Sequence, residues 1–76
     1  MDVHHLWPLE WAHIGGGRRN PNDLDNLVAV SKPIHYQINT AWRLFKNSNS
    51  NPTTRDIQNQ MKEVMKEFGE YFVYPK

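Results

Sequence analysis

The spacing of apolar residues divides the chain into two short strands followed by two amphipathic helices. Asp2–Leu6 predicts a strand that ends before Pro8, and the apolar, partly β-branched Leu27–Val30 predicts a second strand. Apolar residues from Ile34 to Phe45 then recur at helical spacing. They predict a helix from Ser31 to Lys46, with Ser31 as the N-cap. Residues 15–22 and 47–52 are rich in Gly, Asn, Ser and Pro and predict loops.

A second helix is expected from Thr53 to Phe68. Thr53 and Asp56 have the spacing of a capping box, and one face is apolar through positions 57, 61, 64, 65 and 68. Gly69 is expected to end this helix, and the tail at 71–74 to form a short edge strand. The pattern indicates one α+β domain over residues 1–76, with a core at 1–46 and a C-terminal helix and tail at 53–76.

Composition limits the possible sources of stability for so small a domain and the classes of ligand that it can bind. The chain has 76 residues and no cysteine, so a metal ion or a protein partner, rather than a disulfide, is expected to provide additional stability. Trp7, Trp11 and Trp42 are the expected large core residues. The formal net charge is only +1, which excludes a large non-specific field for coating nucleic acid. No long apolar run and no basic-then-apolar leader are visible, so neither a membrane segment nor a signal peptide is expected.

Three histidines and two asparagines are the candidate functional residues. His4 and His5 are adjacent in a strand and therefore point to opposite faces, so one can bind a metal while the other takes a proton from water. His35 and Asn39 lie one turn apart on the flank of the first helix, a spacing that suits half of a metal site. Asn26, before the second strand, can pin backbone groups by side-chain hydrogen bonds. Placed opposite the strand with His4 and His5, it is expected to hold the proton-accepting histidine in a fixed ring orientation.

These residues occur in an order that resembles the HNH nuclease superfamily, the ββα-metal finger, and most closely the nuclease domains of colicins and bacterial polymorphic toxins. The resemblance covers residues 4–46, and nothing in 47–76 contributes to it. The matching residues are His4-His5-x-x-Pro8, Gly15-Gly16-Gly17, Asp23-x-Asp25-Asn26-Leu27-x-x-Val30, Lys32 and His35-x-x-Ile38-Asn39.

The resemblance implies a role for each matched side chain. His4 and His35 correspond to metal ligands, His5 to the general base, and Asn26 to the asparagine that constrains the base loop. Asn39 stands where toxin nucleases of this kind usually have another histidine. An amide oxygen suits a harder ion than zinc, so a magnesium-like site and an inactivated site both remain open.

The implied cofactor is one divalent ion (Zn, Mg, Mn or Ni), and the implied reaction is hydrolysis of a phosphodiester bond. Arg18, Arg19 and Arg43 are candidate phosphate contacts. By this resemblance the chain is expected to be a low-specificity DNase with RNA as an open alternative substrate. It would be the toxin module of a larger protein, secreted or delivered into the target-cell cytoplasm and bound by an immunity protein. The alternative is a catalytically degenerate module that binds nucleic acid or a protein partner.

Overall fold

The computed structural model describes residues 1–14 and 24–74 and has an α+β architecture. Two antiparallel strands, β1 (Asp2–His5) and β2 (Leu27–Val30), precede two helices, α1 (Lys32–Ser48) and α2 (Thr54–Phe68). This order confirms the predicted sequence of strands and helices. The predicted glycine loop at 15–17 lies outside the described residues.

β2 is the middle element of the small sheet. In the antiparallel register, His4 pairs with Val28 and Asp2 with Val30. On its other edge β2 meets the tail, where Ala29 and Val73 exchange two backbone hydrogen bonds of 2.8 and 2.9 Å. The expected edge strand at 71–74 is therefore reduced to a single bridge. With β1 on one edge and this bridge on the other, β2 is hydrogen-bonded on both edges.

α1 begins as the sequence predicts and runs slightly further. Ser31 occupies the extended N-cap position and Pro33 lies in the first turn, where its missing N–H costs nothing. The helix continues to Ser48, two residues past the predicted end, because Asn49 satisfies the last carbonyls. Its backbone N–H donates to the Lys46 carbonyl at 3.3 Å, and its side chain donates to the Phe45 carbonyl at 2.9 Å.

α2 is capped at its start by the pair that its sequence predicts. Asp56 N–H donates to Thr53 Oγ1 at 3.1 Å, and Thr53 N–H donates to Asp56 Oδ2 at 2.9 Å. The helix ends at Phe68, as expected. Gly69 keeps right-handed dihedrals (φ −57°, ψ −30°) and leads into a 3-10 turn over Gly69–Tyr71, so the end does not depend on a left-handed glycine.

The core lies between the sheet and the two helices. Both helices bury most of the predicted stripe, but Met65 on α2 is exposed, so its prediction as a core residue was wrong. Trp11 and Trp42 are buried, while Trp7 packs against the cluster. The buried members are Leu6, Trp11, Val28, Val30, Ile38, Trp42, Ile57, Val64, Phe68 and Phe72. Within residues 1–14 and 24–74, neither helix is both long and apolar enough to cross a bilayer.

Candidate functional site

Strand β1 turns one histidine of the pair inward. His4 faces the helices and is only 5% exposed, whereas His5 is half-buried. Val28, the partner of His4 across the sheet, is buried in the same layer. The alternation of side chains along a strand therefore gives the two imidazoles different surroundings, as the sequence predicts.

α1 brings His35 next to His4. Their ring centroids are 5.5 Å apart, and the ring planes make an angle of 68°. His4 Nε2 is buried and has no hydrogen-bond partner among residues 1–14 and 24–74. Two buried indole nitrogens share that status, but an indole can only donate a hydrogen bond, whereas a neutral imidazole has a lone pair for a ligand.

Burial keeps His4 neutral at physiological pH. Removal of the ring from water, with smaller contributions from the neighbouring His35 and His5, lowers the pKa of His4 to about 4. A metal binds only the deprotonated imidazole. His4 is therefore already in the protonation state that coordination requires.

Asp2 holds the helix histidine in place. His35 Nδ1 lies 3.1 Å from Asp2 Oδ2, and because a carboxylate only accepts, Nδ1–H is the donor. This bond, with a smaller contribution from Lys32, holds the pKa of Asp2 below its usual value. With Nδ1 so engaged, a neutral His35 carries its lone pair on Nε2, the arrangement common among metal-ligating histidines.

The sequence analysis did not identify Asp2 as part of this cluster. A signal was present, because Asp2 and His4 are two residues apart and so share a face of β1. The sequence pattern does not show that α1 packs over the face of β1 that carries Asp2 and His4.

Asn26 ties the exit of β1 to the entrance of β2. Its Oδ1 accepts from Trp7 N–H at 2.8 Å, its Nδ2 donates to the Trp7 carbonyl at 3.2 Å, and its own carbonyl accepts from Leu6 N–H at 2.8 Å. These bonds fix the backbone that immediately follows His5. These contacts of Asn26 are thus to the backbone after His5, and the predicted hold on the His5 ring stays a prediction.

The histidines open onto a cleft of about 490 Å³ between β1, the 3-10 turn at Leu9–Trp11, and α1. Asn39, whose side chain is exposed, lines it one turn after His35, and Arg43 follows a turn later. Two further residues that the sequence analysis did not single out, Glu10 and Lys46, also line the cleft. The lining residues are Val3, His4, His5, Pro8, Leu9, Glu10, His35, Asn39, Trp42, Arg43 and Lys46.

Comparison with known proteins does not name a family. No family model, curated protein or solved structure matches this chain.

The donors in the cleft suit a divalent ion with open positions. His4 and His35 supply two imidazoles, and Asn39 supplies an amide oxygen in the same cleft. Among residues 1–14 and 24–74, no three His, Cys, Asp or Glu side chains come together as a metal-binding group. The fit thus depends on Asn39 as the third ligand, and any remaining positions would go to water or substrate.

Two of the predicted phosphate contacts, Arg18 and Arg19, lie outside the described residues, so only Arg43 can be placed. His13 is exposed in the turn after Trp11 and does not line the cleft. It therefore serves as a natural control for the histidines that do.

Proposed function

We propose that the chain is a metal-dependent endonuclease of the HNH, ββα-metal type. The observation that carries this proposal is the buried His4, whose Nε2 has no partner in the part of the chain that the structure describes. Its ring packs at 5.5 Å between centroids against a His35 that is oriented by Asp2. Burying an unsatisfied imidazole nitrogen is costly, and a ligand at that nitrogen removes the cost. The resemblance of residues 4–46 to HNH nucleases supports the same interpretation.

Each side chain has a distinct part in the proposed reaction. His4, His35 and Asn39 are the residues that would hold one divalent ion, whose chemistry when bound is to polarise a phosphate oxygen and stabilise the leaving oxygen. His5, on the wall of the same cleft, takes the proton from the attacking water. Asn26 keeps the backbone after His5 in position, and Arg43 offers a cation to the phosphate.

We infer DNA as the substrate, with RNA as the alternative, and low sequence specificity. The net charge of +1 leaves little long-range attraction, so binding would rely on the cleft itself. From the resemblance to toxin nucleases we further propose that the chain is a module of a larger secreted or delivered protein. It would act in the target-cell cytoplasm and be neutralised by an immunity protein.

Plasmid nicking tests the catalytic proposal. Supercoiled DNA is incubated with the protein and Mg²⁺, Mn²⁺, Ni²⁺ or Zn²⁺ in turn, with a chelator as the blank. We expect metal-dependent nicking that His5→Ala removes and that His13→Ala, in an exposed turn away from the cleft, leaves intact. Absence of nicking with every ion, by protein whose fold is verified by circular dichroism, would contradict the proposal.

Asn39 favours a second candidate, a catalytically degenerate ββα-metal module that holds nucleic acid or a protein without cutting it. An exposed amide is a weaker ligand than the imidazole found there in similar toxin nucleases. Asn39→His separates the two. A variant that gains nicking from an inactive parent identifies the degenerate module, whereas an active parent identifies the enzyme.

A further inference from the structure

The cleft continues well beyond the histidines along one side of α1. Eleven residues separate His35 from Lys46, which is about three helical turns, so both side chains lie on the same stripe with Asn39 and Trp42. At a rise of 1.5 Å per residue, Lys46 is about 16 Å from His35 along the helix axis. A cation therefore stands at the end of the cleft away from the candidate metal ligands.

That cation is paired with an acid from the opposite wall. Lys46 Nζ lies 3.2 Å from Glu10 Oε2, and Glu10 belongs to the 3-10 turn at Leu9–Trp11. Both side chains are about half exposed, at 59% and 45%. An exposed pair of this kind contributes little to stability and exchanges readily for another anion. The pair therefore bridges the two walls without locking them together.

We propose that Lys46 is a second phosphate subsite and that Glu10 is its built-in competitor. On this view, which rests on the proposed nuclease function, a phosphate on the bound strand displaces the Glu10 carboxylate while another phosphate is at the histidines. The reach of about 16 Å selects a polynucleotide over a mononucleotide or a small phosphodiester. Glu10 lowers the affinity for chains that cannot supply an anion at that distance.

Binding without metal provides the first test. A short fluorescein-labelled DNA duplex is titrated with protein in excess chelator at low salt, and anisotropy reports the Kd. We expect Lys46→Ala to weaken binding roughly three- to fivefold and to lower the salt slope by about 1. Glu10→Gln should tighten binding by a similar factor, because Lys46 is then released.

The double variant is the decisive measurement. If Glu10 acts through Lys46, the gain from Glu10→Gln disappears in the Lys46→Ala background, so that the double variant binds like Lys46→Ala. Lys62→Ala and Glu63→Gln make the same charge changes on exposed α2 residues that do not line the cleft, and they control for net charge. An equal gain in both backgrounds, or equal effects of the α2 variants, would overturn the proposal.

Hydrolysis gives a second readout. Lys46→Ala should slow cleavage of the duplex but leave hydrolysis of bis(p-nitrophenyl) phosphate unchanged, since that small diester does not reach the subsite. Equal loss on both substrates would overturn the subsite, because it would mean that the histidine cluster itself was damaged. If no substrate is cut with any ion but the binding cycle shows coupling, the nuclease function fails and the subsite stands.

Discussion

The buried His4 makes the metal-free protein sensitive to mild acid. The pKa of this imidazole is about 4 in the folded chain, against 6.5 for an unperturbed histidine. Between these values the unfolded state binds a proton that the folded state does not, so stability falls as the pH falls. At 1.36 kcal/mol per pKa unit the full loss is about 3 kcal/mol, a large fraction of the stability of a domain this small.

Urea denaturation followed by tryptophan fluorescence measures this loss. With chelator present, the free energy of unfolding should drop by about 1.2 kcal/mol between pH 6 and pH 5. His4→Phe should flatten the slope, whereas His13→Phe, in an exposed turn, should keep it. Asp2, whose pKa is also lowered, loses its contribution only as pH falls through and below its usual 3.8, so it does not dominate this window. Equal slopes for the parent and His4→Phe would refute the reasoning.

Three further outcomes follow from the site and the bracing loop. Zn²⁺ or Ni²⁺ at a hundredfold excess over its Kd should raise the free energy of unfolding by about 2.7 kcal/mol, an effect measurable by thermal melts and lost in His35→Ala. Asp2→Asn should weaken metal binding about 10- to 100-fold in calorimetric titration, because His35 loses the acceptor that orients it; an unchanged Kd would contradict that role. Asn26→Ala should cost about 1–3 kcal/mol in urea denaturation by leaving the Trp7 backbone groups unpaired, and a loss below that range would mean that water replaces the amide.

Local patterns in the sequence account for most of the fold. Apolar spacing predicted both strands and both helices because each element buries one face, and the Thr53–Asp56 pair marked the start of α2 because both partners of a capping box lie within one turn. The two additional residues at the end of α1 were missed because they depend on the Asn49 side chain, whereas the polar composition of 47–52 predicts a loop.

The site was predictable only in part. Strand alternation indicated that His4 and His5 face different surroundings, and helical spacing put His35 and Asn39 together. Which histidine points inward depends on where the helices pack, and that is a property of the whole fold. The Asp2–His35 and Glu10–Lys46 contacts likewise join residues from separate elements, so no local pattern contains them.

The last few described residues pack against His4, one of the histidines of the site. The Phe72 ring lies 6.4 Å from the His4 ring between centroids, and the Val73 bridge to Ala29 anchors it there. Part of the burial of His4 is therefore supplied by residues 72–73. Trimming this segment, or fusing a bulky carrier directly to it, would expose the His4 imidazole to solvent. The loss of stability at acidic pH and the affinity for a metal ion would then both decrease, even though every candidate ligand remained in place.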